Sequence, residues 1–186
     1  MRFLIRLRGT SVPGEKLLAA ARTVAKTLGV TPRNPKWTSY GALELDVFTP
    51  SRADFELFVS AVKPLAEVEF TRDLNLAPQH EAEPRLFDEA RRLFNAERFW
   101  ECHEVLEGVW RTKQGAEKSL LQGVILVCAA FVHHQKGEEA VALGVLVRAT
   151  KQLDFPGPEY GGFDVPKLKR NVDGIIRSRE FVNFRV

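Results

Sequence analysis

The sequence predicts an α+β chain: a ferredoxin-like βαββαβ domain over residues 1–74, then an all-α bundle of about five helices. Three observations lead there. The first 74 residues mix two-residue and 3.6-residue apolar periods, while everything beyond residue 84 keeps only the helical one. Between them, Leu74 to Pro84 is aperiodic and holds two prolines. The expected layout is thus an α/β domain (1–74), a linker (75–84), a helical bundle (85–178) and a tail (179–186).

The first strand alternates, with Phe3, Ile5 and Leu7 on one face and Arg2, Arg6 and Arg8 on the other. Gly14 to Leu28 reads as a helix with Leu17, Leu18, Ala21, Val24, Ala25 and Leu28 on one stripe, stopped by Gly29. A weak strand near Lys36-Trp37-Thr38 turns at Tyr40-Gly41 into a strong one carrying Leu43, Leu45 and Val47 inward. Ser51-Arg52-Ala53-Asp54 has the spacing of a capping box, with Asp in place of Glu, and opens a second helix through Phe55, Phe58, Ala61, Val62 and Leu65. A last strand carries Val68 and Phe70 opposite Glu67, Glu69 and Thr71.

This order is the split βαβ unit, in which the first strand lies between the third and fourth. The outward arginines would then stand between two acidic columns, Glu44/Asp46 and Glu67/Glu69, an agreement of charge with topology. RNA-binding domains of this topology present aromatic residues on the open face. Arginines neutralised by carboxylates argue against that use.

Beyond the linker, Pro84 opens a helix with Leu86, Phe87, Ala90, Leu93 and Phe94 on one face. A second runs from about Phe99 to Arg111. The third, about Ala116 to Gln135, is apolar almost all round and should be the central helix. A fourth spans Glu138 to about Leu153 and ends at Phe155-Pro156-Gly157-Pro158. Asp164 caps a fifth through Leu168, Val172, Ile175 and Ile176.

Composition narrows the classes. A hydrophobic fraction of 45% and a charged fraction of 27% are ordinary for a packed protein. The longest apolar run, Leu120 to Val132, is too short for a bilayer span and is interrupted by Gln122 and Gly123. The alternating N-terminus is not a signal peptide, so a soluble, cytoplasmic protein is expected, with no membrane partner. Cys102 and Cys128 form no C-x-x-C pair and read as small core residues. A net charge of +3 permits a polyanionic partner without requiring one. The segment to residue 78 holds 11 basic and 8 acidic residues, and from Val165 onward six Lys or Arg face Asp173 and Glu180. Phosphate-binding loops and the serine-hydrolase elbow are absent from the sequence.

The segment Phe99-Trp100-Glu101-Cys102-His103-Glu104-Val105-Leu106-Glu107-Gly108-Val109-Trp110 carries the chemistry. At about 100° per residue, Phe99, Cys102, Leu106, Val109 and Trp110 form a core stripe, while Glu101, Glu104 and Gly108 face away. His103 and Glu107 fall one turn apart on the stripe's edge, beside Trp100 and Trp110, where they can meet. A buried carboxylate needs a partner, and a carboxylate partner raises a histidine's basicity. Three readings stay open: a structural polar pair, a metal site, or metal-free acid/base and ligand-binding work walled by the two tryptophans. For the metal (zinc, iron or manganese), His103 and Glu107 need further donors. Gln122 and His133 lie on one face of the third helix, and His134 and Cys102 are further candidates. His80, in the linker, belongs to no motif.

Phe94 to Trp110, with Leu121-Gln122-Gly123-Val124-Ile125, Ala129-Ala130-Phe131-Val132-His133-His134 and Gly162-Phe163-Asp164-Val165, resembles the helical family called domain of unknown function 309, over residues 84–176. The resemblance implies a compact helical bundle and no established activity. Its His-x-x-x-Glu-x-x-Trp core and Leu-Gln-Gly segment point to His103, Glu107, Trp110 and Gln122. Cys102 stands where the family usually has a small residue such as Ala, which weakens it as a ligand. The N-terminal domain lies outside the usual pattern and is a candidate source of a partner or an oligomeric state.

The leading expectation is a polar pocket between the second and third helices of the bundle. In it His103 and Glu107 are the catalytic candidates and Trp100, Trp110, Gln122 and His133 bind a small ligand. Alternatively His103, Glu107 and His133 hold a divalent metal, with hydrolysis as the reaction to test. The rival is a non-enzymatic interaction or regulatory protein. There the pair is structural, and the basic C-terminal segment or the N-terminal domain docks a protein or, less favoured, a nucleic acid. The alternating tail Glu180 to Val186 has the pattern of a strand that could add to the N-terminal sheet, in this chain or in a homo-oligomer.

Overall fold

The structure, a computed structural model, describes residues 1–75 and 82–186. His80 and most of the expected linker lie outside the described residues. The chain divides into two compact units, Met1–Gln79 and His80–Val186.

The first unit runs β1 (Arg2–Gly9), α1 (Gly14–Thr27), β2 (Thr31–Trp37), β3 (Leu43–Phe48), α2 (Arg52–Val62), β4 (Ala66–Asp73). Its antiparallel sheet has the order β2-β3-β1-β4, the ferredoxin-like arrangement that the element order implied. Alternation puts Phe3, Ile5, Leu7, Leu43, Leu45 and Val47 on the face covered by the two helices. There they form one core with Leu17, Ala21 and Ala25 of α1 and Phe55, Phe58 and Val62 of α2. Phe3 stacks on Phe55 with ring centroids 4.1 Å apart. Ser51 caps α2: its Oγ accepts from the Asp54 amide at 3.1 Å and donates to Asp54 Oδ2 at 2.6 Å. The shorter Asp therefore closes the box onto the cap hydroxyl.

β2 is longer than expected, beginning at Thr31 rather than near Lys36. Pro32 and Pro35 hide it from a pattern reading. An edge strand tolerates them, since only one side needs its amides, and a register shift between Arg33 and Lys36, with Asn34 at φ 51°, absorbs the irregularity.

The second unit runs α3 (Glu83–Asn95), α4 (Phe99–Trp110), α5 (Gly115–Gln135), α6 (Glu139–Thr150), β5 (Glu159–Tyr160), β6 (Phe163–Asp164), α7 (Val165–Ser178). As its apolar circumference implied, α5 is central, packing against both α4 and α6. α5 is long and apolar enough to cross a membrane by length and composition, yet 56% of its apolar window is buried inside the protein. Asp164 caps α7, accepting from the Lys167 amide at 2.8 Å. The β5–β6 hairpin was not expected. Its turn, Gly161-Gly162, has φ of 58° and 79° and presses on α3, where a Cβ at either position would strike the Phe87 ring or the Arg91 guanidinium.

The tail corrects the strand expectation. Residues 179–186 have no regular structure and fold back on their own helical unit. Phe181 stacks on His134 at 4.4 Å, Phe184 packs on Phe94 and Phe131, and the Val186 amide donates to Asn95 Oδ1 at 3.0 Å. Two phenylalanines gain more from an aromatic slot beside them than from pairing with a sheet edge.

Candidate functional site

α4 and α5 form an antiparallel hairpin whose register two contacts define. Cys102 Sγ lies 3.4 Å from Cys128 Sγ, and Lys118 Nζ sits 4.4 Å above the Trp110 ring. Residue 102 thus stands level with 128 and residue 110 with 118. By interpolation, Glu107 is level with Gln122 and His103 with Leu126. On α4 the half-buried residues Trp100, His103, Glu107 and Trp110 fall on one stripe, since steps of three, four and seven residues return to the same side. On α5, Lys118, Gln122, Leu126 and Ala129 make the matching half-buried stripe. The two stripes border one seam.

Within the seam the Trp100 and His103 rings stack, 6° from parallel at 5.4 Å. Burial pushes the His103 imidazole below its ordinary value, and the nearby Glu107 charge only partly opposes this, so His103 is neutral near pH 7. Its Nδ1 is buried with no hydrogen-bond partner among the described residues, as is Trp110 Nε1. No hydrogen bond joins His103 to Glu107. The Glu107 side chain is 42% exposed and reaches Arg111 at 3.9 Å.

The buried carboxylate of α4 is a different one. Glu101, expected to face away, is 1% exposed and accepts from Arg98 Nε at 2.6 Å. The single-stripe reading misplaced it because α4 packs against both α3 and α5, which buries a second flank. Arg98 opens the helix three residues earlier and supplies the partner that such burial demands.

The expected metal set is not assembled. Among the described residues, no group of three or more His, Cys, Asp and Glu side chains comes together to hold a metal. His133 lies seven residues beyond the level of His103, about 10 Å along the α5 axis. There its Nδ1 is taken by Glu138, at 2.5 Å, which holds the Glu138 carboxyl below its ordinary range. His134 Nδ1 is likewise held by Glu139, at 2.7 Å. Cys102 is fully buried, and burial first, then Cys128, pushes its thiol well up, which disfavours the thiolate a metal needs. Two surface depressions lie elsewhere in the unit. One, of about 210 Å³, runs between α7 and the tail by Gly174, Ser178 and Val182. The other, of about 410 Å³, lies by Pro158, Asp164 and Arg170.

Residues 87–145, from α3 into α6, match the family described as domain of unknown function (DUF309). The chain belongs to DUF309 through its helical unit. A conserved hypothetical protein of Thermus thermophilus, known as a crystal structure, is 33% identical over 49% of this chain and 95% of its own, with a TM-score of 0.44. No curated protein matches. The DUF309 segment contains all the residues that line the seam. The sequence pattern points to His103, Glu107, Trp100, Trp110 and Gln122 there. Lys118 belongs to no motif, and its one signal is that it precedes Gln122 by one helical turn and so shares its face.

Proposed function

We propose that the DUF309 unit is a binding module whose α4–α5 seam takes a small molecule rich in hydrogen-bond acceptors. The observation that carries this is the pair of unpartnered buried polar atoms, His103 Nδ1 and Trp110 Nε1, on one stripe of α4. An orphaned buried donor or acceptor costs about 1–3 kcal/mol, and two on one face form a standing demand for partners. Trp110 can only donate, neutral His103 donates or accepts, and Gln122 does both. Lys118, lying over the Trp110 ring, adds a cation. A carbonyl or carboxylate compound meets that set, with Trp100 as its apolar wall and Lys118 moving aside to uncover the indole nitrogen.

The reading as a structural pair loses ground because His103 and Glu107 share no hydrogen bond. Hydrolysis loses ground for the same reason: no carboxylate orients His103 as a base, and burial makes it a weaker one. The test is a thermal-shift and ligand-observed NMR screen of small carbonyl and carboxylate compounds against the full chain. A hit is expected to lose about tenfold or more in affinity in both Trp110→Phe and Gln122→Leu, since each deletes a buried hydrogen bond to ligand. No hit across the set, or hits indifferent to both substitutions, would end the proposal.

A further inference from the structure

The sheet face turned away from α1 and α2 is the second place where the structure shows more than the sequence. By register it carries six cations, Arg2, Arg6, Arg8, Arg33, Lys36 and Arg72, against the carboxylates Glu44, Asp46, Glu67 and Glu69. Taken as a list these nearly cancel. Depth separates them. Glu44 and Asp46 are buried at 4% and 3% exposure: Glu44 holds Arg6 at 2.9 Å and Lys36 at 2.5 Å, both buried as deeply as itself, and Asp46 holds the more exposed Arg2 at 2.6 Å. Glu69 is mostly covered too, held by Arg8 and by the Tyr40 hydroxyl, which donates to it at 3.0 Å. What meets solvent is Arg2 and Arg8, whose side chains are 39% and 52% exposed, together with the exposed Arg33 and Arg72 and, of the four carboxylates, Glu67, which lies opposite Arg8.

Aromatic rings are set between these cations. Arg8 lies 5.2 Å from the centroid of the exposed Tyr40 ring. Arg33 and Arg2 lie 5.1 and 5.6 Å from Phe48, and Arg6 lies 5.0 Å from Phe70. Guanidinium groups on ring faces are planar surfaces that already stack, and such stacking leaves the in-plane N–H groups that hold no carboxylate able to meet a phosphate. Arg33 has no carboxylate partner among the described residues and is held to the sheet through the Phe48 ring.

We propose that this face binds single-stranded nucleic acid: phosphates engage Arg2, Arg8 and Arg33, and bases stack on Tyr40, Phe48 and the guanidinium planes. The chemistry selects this occupant. A polyanion without planar groups would leave the rings unused, and a duplex keeps its bases stacked internally. The buried carboxylates act as a scaffold that spaces the arginines, and six cations against four carboxylates leave the face positive.

Fluorescence anisotropy with labelled 12-mers of oligouridylate and oligothymidylate, on the full chain, tests this. Both are expected to bind, since stacking and phosphate contacts do not need the ribose hydroxyl. Three phosphate contacts predict a log–log salt slope of about −2. Arg33→Glu, which breaks no ion pair among the described residues, should weaken binding by about tenfold or more. Tyr40→Leu, with Phe48→Leu as a second variant should the first unfold, should weaken oligonucleotide binding about tenfold. Neither ring substitution should change binding of a heparin fragment. His103→Ala should bind as the parent, keeping this face distinct from the α4–α5 seam. No binding at low salt would overturn the proposal, as would insensitivity to Arg33→Glu, or loss on Arg177→Glu/Arg179→Glu in the helical unit instead.

Discussion

His103 is lodged where protonation is costly, and this gives the protein a definite pH response. Its imidazole is lowered from 6.5 by burial, more than the Glu107 charge restores. Above about pH 6.5 the histidine is neutral in folded and unfolded chains alike, and its contribution to stability is complete. As the pH falls below that value, the unfolded chain takes up the proton first, so stability declines until the folded value is also passed. Urea melts between pH 7.5 and 5 should therefore show a shallower fall in His103→Gln than in the parent. Glu107→Gln, which removes the opposing charge, should show a steeper one. Identical slopes in all three would mean that His103 is not desolvated as described. Glu101 illustrates the other resolution of the same conflict: a carboxylate sealed almost completely and paired with the guanidinium of Arg98.

At the scale of the element, two glycines of the helical unit separate helix propensity from packing. Gly108 sits on the exposed side of α4, where an added Cβ meets nothing within 4 Å. Gly123 in α5 faces the chain just past α6, where a Cβ would lie 2.7 Å from Leu153 Cδ2 and 3.2 Å from the Gln152 carbonyl carbon. Gly108→Ala should raise stability by about 0.5–1 kcal/mol, the ordinary gain of alanine over glycine in a helix. Gly123→Ala receives the same gain but must displace Leu153 from a filled core, for a net loss of about 1–2 kcal/mol. Chemical denaturation of the two single variants measures both signs. The Leu-Gln-Gly segment thus combines a seam residue, Gln122, with the glycine that lets the following layer approach.

At the scale of the whole molecule, two hydrophobic cores share no residue: one built on Phe3, Leu45 and Phe58, the other on Phe94, Leu106 and Phe131. A fragment of residues 82–186 is expected to give a helical circular-dichroism spectrum and its own cooperative unfolding transition. A non-cooperative melt would show that the helical unit depends on the first. The α+β class and the order of elements were legible in the residues, as was the spacing that sets His103, Glu107 and Trp110 on one stripe of α4. Period and spacing along a single element carry that information, because a strand or helix repeats its geometry locally. Which carboxylate of α4 is buried, where the two phenylalanines of the tail come to rest and why His133 stands apart from His103 depended on neighbouring elements. So did the depth of each charged pair on the sheet. A linear pattern records which side chains share a face; only the packed chain decides what covers that face and how deep each charge lies, because burial is a property of neighbours distant in sequence.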